Sequence, residues 1–245
     1  MMARTLLNLD TTEQDGYSFL LHSGRGVGKT HLMGDMLKEE SKAGDVWFLN
    51  IAGEDGQMTL KGMGLGKMGE TVETIADLDA ALADCQKRKL QGLGLDSLNA
   101  LVRPICITLF GSDRMPTIKK GSERNEWSEF HRESERLWLA IRRSARFVVV
   151  TCPSDRSLEQ LSQTTLITPN LPGRQAGEVA GYFDFAGYLV ATAKGSGRVD
   201  RVLRMTPDSS TIVKGRTPKQ LGDIALPEGP GGWAKIKATI QASYA

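Results

Sequence analysis

The octapeptide Ser23-Gly24-Arg25-Gly26-Val27-Gly28-Lys29-Thr30 stands between a short apolar run, Tyr17 to His22, and a segment in which Leu32, Met33, Met36 and Leu37 recur at helical spacing before Gly44. Strand, glycine loop and helix in that order make a phosphate-binding loop. The glycines let successive backbone N–H groups converge on phosphate oxygens with no Cβ in the way, and the helix N-terminus adds positive potential. The expected nucleotide-binding residues are therefore Gly24, Arg25, Gly26, Val27, Gly28, Lys29, Thr30 and His31. Lys29 supplies a compact charge to the β and γ phosphates of ATP, and the Thr30 hydroxyl reaches Mg²⁺. Ser23 stands where the strict motif has glycine.

Such a loop needs a carboxylate at the tip of a nearby strand to hold Mg²⁺. Leu93 to Ser97 is an apolar strand tip ending in an acid, which makes Asp96 the second metal residue beside Thr30. Hydrolysis also needs a group that orients or deprotonates water. Glu54, just past the strand Val46 to Ile51, is the candidate, with Asp55 as the alternative.

Further along, Thr71 to Lys89 places Ile75, Leu78, Leu82 and Cys85 on one helical face. Leu90 to Asp96 is a strand weakened by Gly92 and Gly94, and an apolar segment runs from Leu98 to Phe110. Asn125 to Ala145 carries Trp127, Phe130, Leu137, Trp138 and Ile141 along one stripe, which core packing explains, and it leads into the strand Phe147 to Thr151. This alternation predicts an α/β fold with a mostly parallel central sheet flanked by helices. Tyr182 to Thr192, Arg201 to Thr206 and Thr211 to Val213 then follow through turn signals, and are expected to extend the sheet as antiparallel hairpins. Gly53 to Glu70 and Cys152 to Gly181 fit neither helix nor strand and are expected to be functional loops.

The 245 residues are 40% hydrophobic and 24% charged, which excludes a disordered chain and favours one domain over 1–245, with an N-terminal extension (1–15) and a C-terminal helix (234–245). Lys and Arg number 31 against 29 Asp and Glu, so any basic surface must be local. Cys85, Cys106 and Cys152 lack zinc or disulfide spacing and fit a reducing, cytoplasmic setting. His22, His31 and His131 are scattered, so a histidine metal centre is not expected. Gly62-Met63-Gly64-Leu65-Gly66 imitates a dinucleotide fingerprint but follows no strand directly.

From about Tyr17 to Trp233 the chain resembles the short RecA-like core ATPases of bacteriophages, which act in ATP-dependent single-strand annealing and recombination. The resemblance rests on GRGVGKT (24–30), NIAGEDG (50–56), GLDSLNAL (94–101), EWSEFHRESERLW (126–138) before FVVVT (147–151), TPNLPGR (168–174) followed by GYFDFAGYLV (181–190), and VKGRTPKQLG (213–222). It implies ATP bound between neighbouring subunits of a ring or filament, with Lys214 and Arg216 acting in trans on the γ-phosphate alongside Lys29, Glu54 and Asp96. It also implies two DNA loops: one carrying Arg114, Lys119, Lys120 and Arg124, the other Arg156 and Arg174, with polar groups suited to sequence-blind backbone contacts. Thr151, at a strand tip, would sense the γ-phosphate. The partners so implied are single-stranded DNA, further copies of the chain and a single-strand binding protein, in the cytoplasm of a bacterial host. Another P-loop DNA motor, such as a helicase-like or packaging ATPase, or a nucleotide-binding switch module, is the alternative.

Overall fold

The computed structural model describes residues 17–117, 125–159, 164–194 and 199–244. The described residues begin with β1 (Tyr17–Ser23), α1 (Lys29–Glu40) and β2 (Val46–Ile51), then α2 (Gly56–Gly62), β3 (Gly69–Val72), α3 (Ile75–Arg88) and β4 (Gly92–Asp96). A 3₁₀ turn at Leu98–Leu101 precedes α4 (Val102–Phe110), and α5 (Glu126–Arg142) leads to β5 (Phe147–Glu159). After β6 (Thr164–Pro169) and the short α6 (Gln175–Glu178) come β7 (Phe185–Ala193), β8 (Val199–Arg204), β9 (Lys214–Gly215), β10 (Ile224–Leu226) and α7 (Gly232–Ala242). The last helix covers most of the expected C-terminal segment.

The sheet order is β10-β8-β7-β1-β5-β4-β2-β3. Pairing from β3 through β2, β4, β5 and β1 to β7 is parallel; β8, β9 and β10 join antiparallel at the β7 side, and β6 pairs antiparallel with the outer half of β5. The expected fold class is thus met, with one correction: β7 is itself a parallel strand beside β1, so the antiparallel part begins one strand later. Thr211 makes isolated bridges to Ile167 and Asp208 instead of belonging to a strand.

Two apolar layers sandwich the sheet. Leu78, Leu82, Ile105, Phe130, Leu137 and Trp138 pack from α3, α4 and α5 on one face, and Met33, Met36, Leu37, Trp233 and Ile236 from α1 and α7 on the other. Gly94 in β4 owes its identity to this close approach, because a Cβ there would lie 2.7 Å from Leu37 Cδ1. The glycines that weaken β4 as an isolated strand are what let α1 lie flat on it.

The two stretches without an expected element are both structured. Gly53 to Glu70 contains α2 and the start of β3, anchored by buried Leu60 and Leu65. In the second, β5 does not stop at Thr151. Its first half pairs with β1, and Ser154 to Glu159 then pair with β6 as an antiparallel hairpin.

α7 is tied to α1 by two acids. Asp35 accepts from the amides of Gly231 (3.1 Å) and Trp233 (2.9 Å), and Glu40 accepts from Trp233 Nε1 (2.9 Å), Lys237 Nζ (2.8 Å) and Gln91 Nε2 (2.9 Å). Burial alone would raise the Glu40 carboxyl; these donors outweigh it and hold the group below its ordinary value.

His22 ends the apolar part of β1 and is fully buried, its ring bonded to Ser154 Oγ (2.9 Å) and to the Ile212 carbonyl (2.6 Å). Burial pushes its pKa down to about 4, with the Ile212 bond opposing and Lys29 adding to the fall. The unfolded chain therefore takes up a proton near pH 6.5 that the folded chain refuses until about pH 4. Stability should fall by roughly 3 kcal/mol across that interval on account of His22. Urea unfolding from pH 7 to pH 4 checks this: His22→Gln should show the flatter dependence, and equal slopes would exclude His22.

Candidate active site

The phosphate loop leaves β1 where β4 presents its carboxyl end and β5 passes out of the central sheet. Gly26 (φ +73°) and Gly28 (φ +107°) hold left-handed backbone that a side chain would strain, and Gly28 caps the start of α1. The amides of Gly26, Val27, Gly28 and Lys29 make no backbone hydrogen bond among the described residues, which leaves a ring of donors for an anion. Lys29 Nζ bonds the carbonyls of Ser23 (3.2 Å) and Gly24 (3.0 Å) and the Ser23 hydroxyl (3.4 Å). Burial lowers the pKa of this ammonium and nearby Asp96 works against the shift. Ser23, in place of the motif's glycine, donates its hydroxyl to the Gly24 carbonyl at 2.9 Å.

Asp96 is 5% exposed at the tip of β4, and the peptide bond that follows it is cis. Thr30 Oγ1 donates to Asp96 Oδ2 at 2.8 Å, and Thr151 Oγ1 donates to Oδ1. Thr151 is thus bonded to the expected metal carboxylate, within β5 and not at a strand tip. Ser97 Oγ donates to Glu54 Oε1 at 2.8 Å, which brings the second acid alongside the first. The Glu54 backbone is fixed by Asn50 Nδ2 on its carbonyl (2.8 Å), and Asn50 Oδ1 is a buried acceptor without a partner among the described residues. Asp55 is exposed at the cap position of α2 and its side chain makes no capping bond. A Cβ on Gly56 would collide with Asp96 Oδ2, so only glycine lets α2 start this close to the carboxylate.

A hydroxyl and a carboxylate converging beside a ring of free amides fit Mg²⁺ with a nucleotide phosphate: Thr30 and Asp96 would hold the ion, which neutralises phosphate charge when bound. Cys152 lies buried next to this cluster with its pKa pushed up to about 12 by burial, so it is an inert thiol at neutral pH.

Lys214 and Arg216 lie away from their own loop. Lys214 pairs with Ala186, which is level with Leu20, and Arg216 bonds the backbone of Asp184, which is bonded to Ser18. Counting strand rise to Ser23, the two cations sit about 10 and 17 Å down the sheet from the loop. Lys214 Nζ contacts the carbonyls of Ala180 (3.2 Å) and Gly181 (2.9 Å); burial, then Arg216 and Arg142, lower its pKa to about 8, against Asp184. Arg216 bonds Asp184 (3.0 Å) and the Gly181 carbonyl (3.2 Å).

Of the expected DNA cations, Arg114 is held by both oxygens of Glu126 at 2.8 Å, and Arg174 lies 3.5 Å from Glu178. Arg156 stands exposed on the β5–β6 hairpin. Lys119, Lys120 and Arg124, like residues 1–15, lie outside the described residues. His31 is exposed on the first turn of α1, beside the loop. One contact had no signal in the sequence: Arg201 of β8 donates Nε to the Val27 carbonyl at 3.1 Å, joining residues 174 positions apart.

No helix among the described residues is long and apolar enough to cross a membrane. No family model matches the chain and no curated protein matches it. Among solved structures it is similar to the KaiC-like protein PH0186 from the hyperthermophilic archaeon Pyrococcus horikoshii OT3, with a TM-score of 0.52 and 12% identity over 89% of this chain and 88% of that one. Identity that low speaks to architecture alone, and with the parallel sheet and the loop between β1 and α1 it gives this chain a RecA-like P-loop fold.

Proposed function

We propose that the chain is a magnesium-using ATPase that binds single-stranded DNA and hydrolyses ATP at subunit interfaces, serving strand annealing or recombination as in the phage ATPases it resembles. The observation that carries the ATPase part is the Thr30–Asp96 hydrogen bond beside the unpaired loop amides, with Glu54 joined to the same cluster through Ser97. In this reading the amides and Lys29 bind the phosphates, Thr30 and Asp96 hold the metal, and Glu54 orients water and accepts its proton. Lys214 and Arg216 would serve a neighbour's site, which agrees with their distance from the loop of their own chain. The DNA part rests on the motif order and on Arg156 on the hairpin. The capture of Arg114 by Glu126 favours a second reading, a P-loop motor or switch whose partner is not single-stranded DNA.

Steady-state ATP hydrolysis with and without single-stranded DNA tests both parts. DNA should raise the rate severalfold, with Mg²⁺ required. Hydrolysis indifferent to DNA would select the second reading, and absence of hydrolysis would exclude an ATPase. Glu54→Gln keeps the side-chain volume and loses the base, so it should bind ATP as the wild type does and turn over about 100-fold more slowly. Equal turnover would move the role to Asp55 or elsewhere.

A further inference from the structure

The guanidinium of Arg201 covers the N-terminal cap of α1. Besides the bond from Nε to the Val27 carbonyl, a Cβ built on Gly28 would lie 3.1 Å from Nε and 3.7 Å from Cζ. β8 carries it there, with Arg201 paired to Ala191 on one side and Leu226 on the other. Its Nη1 and Nη2 groups have no hydrogen-bond or carboxylate partner among the described residues. With Gly28, His31, Leu226 and Pro227 it lines a hollow of about 30 Å³ at the outer rim of the loop. The acids lining the same hollow are Asp35, which accepts from the amides of Gly231 and Trp233, and Glu228.

Arg201 is a half-buried cation whose two Nη groups are unpaired among the described residues at the positive end of a helix, a place that favours an anion, and of the two acids in the hollow Asp35 is already engaged by the amides of Gly231 and Trp233. Lys29 reaches back to Ser23 and Gly24, on the strand side of the loop; Arg201 stands on the opposite rim, where Gly28 and His31 face outward. A phosphate chain cradled by the loop amides has Lys29 near one end and Arg201 at the other, the end that carries the nucleoside.

We infer that Arg201 binds the nucleotide within its own chain: Nε fixes the Val27 carbonyl so that the loop amides stay free, and the Nη groups take the phosphate next to the nucleoside. Arginine suits the task because its planar fork serves a carbonyl and a phosphate at once. The assignment rests on the ATPase reading and adds to it a cation that needs no neighbouring subunit.

ADP titrated calorimetrically into protein dilute enough to be dissociated, in Mg²⁺ buffer, tests it. Arg201→Ala should weaken ADP by about tenfold to a hundredfold, the worth of a charge-assisted bond. Arg201→Gln, which keeps an N–H for the Val27 carbonyl but loses charge and fork, should lose as much. In turnover the KM for ATP should rise with kcat within about twofold of wild type. Melting temperatures without nucleotide confirm that both Arg201 variants fold. ADP affinity unchanged in Arg201→Ala, or restored in Arg201→Gln, would overturn this assignment alone. A wild-type chain that binds no ADP would overturn it together with the ATPase reading.

Discussion

Lys29→Ala should weaken ATP binding at least about 100-fold and abolish measurable hydrolysis. Two effects add. The phosphates lose the ammonium nearest them in the loop, and the loop loses the group that draws the Ser23 and Gly24 carbonyls together at 3.2 and 3.0 Å. The fold should survive, because Lys29 is half-exposed and contributes nothing to either apolar layer. Fluorescent-nucleotide titration and a thermal melt separate the two outcomes: an unchanged melt with lost binding is expected, and unchanged binding would remove the loop from the site.

The second large effect separates cations that act across an interface from cations that act at home. Lys214→Ala, Arg216→Ala protomers keep an intact loop, and Lys29→Ala protomers keep an intact cation pair. Each alone should be inactive. Mixed in equal amounts at high concentration they should regain about a quarter of the wild-type rate, since random neighbours match a good loop to a good pair one time in four. The geometry makes the test sharp, because the pair is tied to Gly181 and Asp184 at the far end of β7, out of reach of its own loop. No rescue despite co-assembly would leave Lys214 and Arg216 as structural cations that brace the turn before β7.

What the sequence made legible was local. The phosphate loop, Asp96 and Glu54 all sit immediately after apolar runs, where spacing alone puts a residue at a strand tip, and the structure gathers these three. α2 stayed hidden because Gly56 and Gly62 are poor helix formers. It exists through burial of Leu60 and the approach to Asp96 that only glycine permits. The hairpin of β5 and β6 stayed hidden because Pro153 and Pro169 and a run of polar residues read as loop, whereas the partner strand that satisfies their backbone lies ten residues away on average. Arg201 was invisible for a stronger reason: nothing near it in sequence relates it to Val27, and only the parallel placement of β7 beside β1 brings β8 over the loop.

The unbroken course of β5 has a mechanical consequence. Thr151 holds the carboxylate of Asp96, and Arg156 stands five residues further along the same strand, about 17 Å away by strand rise. Near Pro153 the strand leaves the central sheet and takes β6 as its partner, so the hairpin and the Asp96 cluster lie on one continuous strand. Any coupling between a change in the partners of Asp96 and the hairpin would be reciprocal, with the same free energy in both directions.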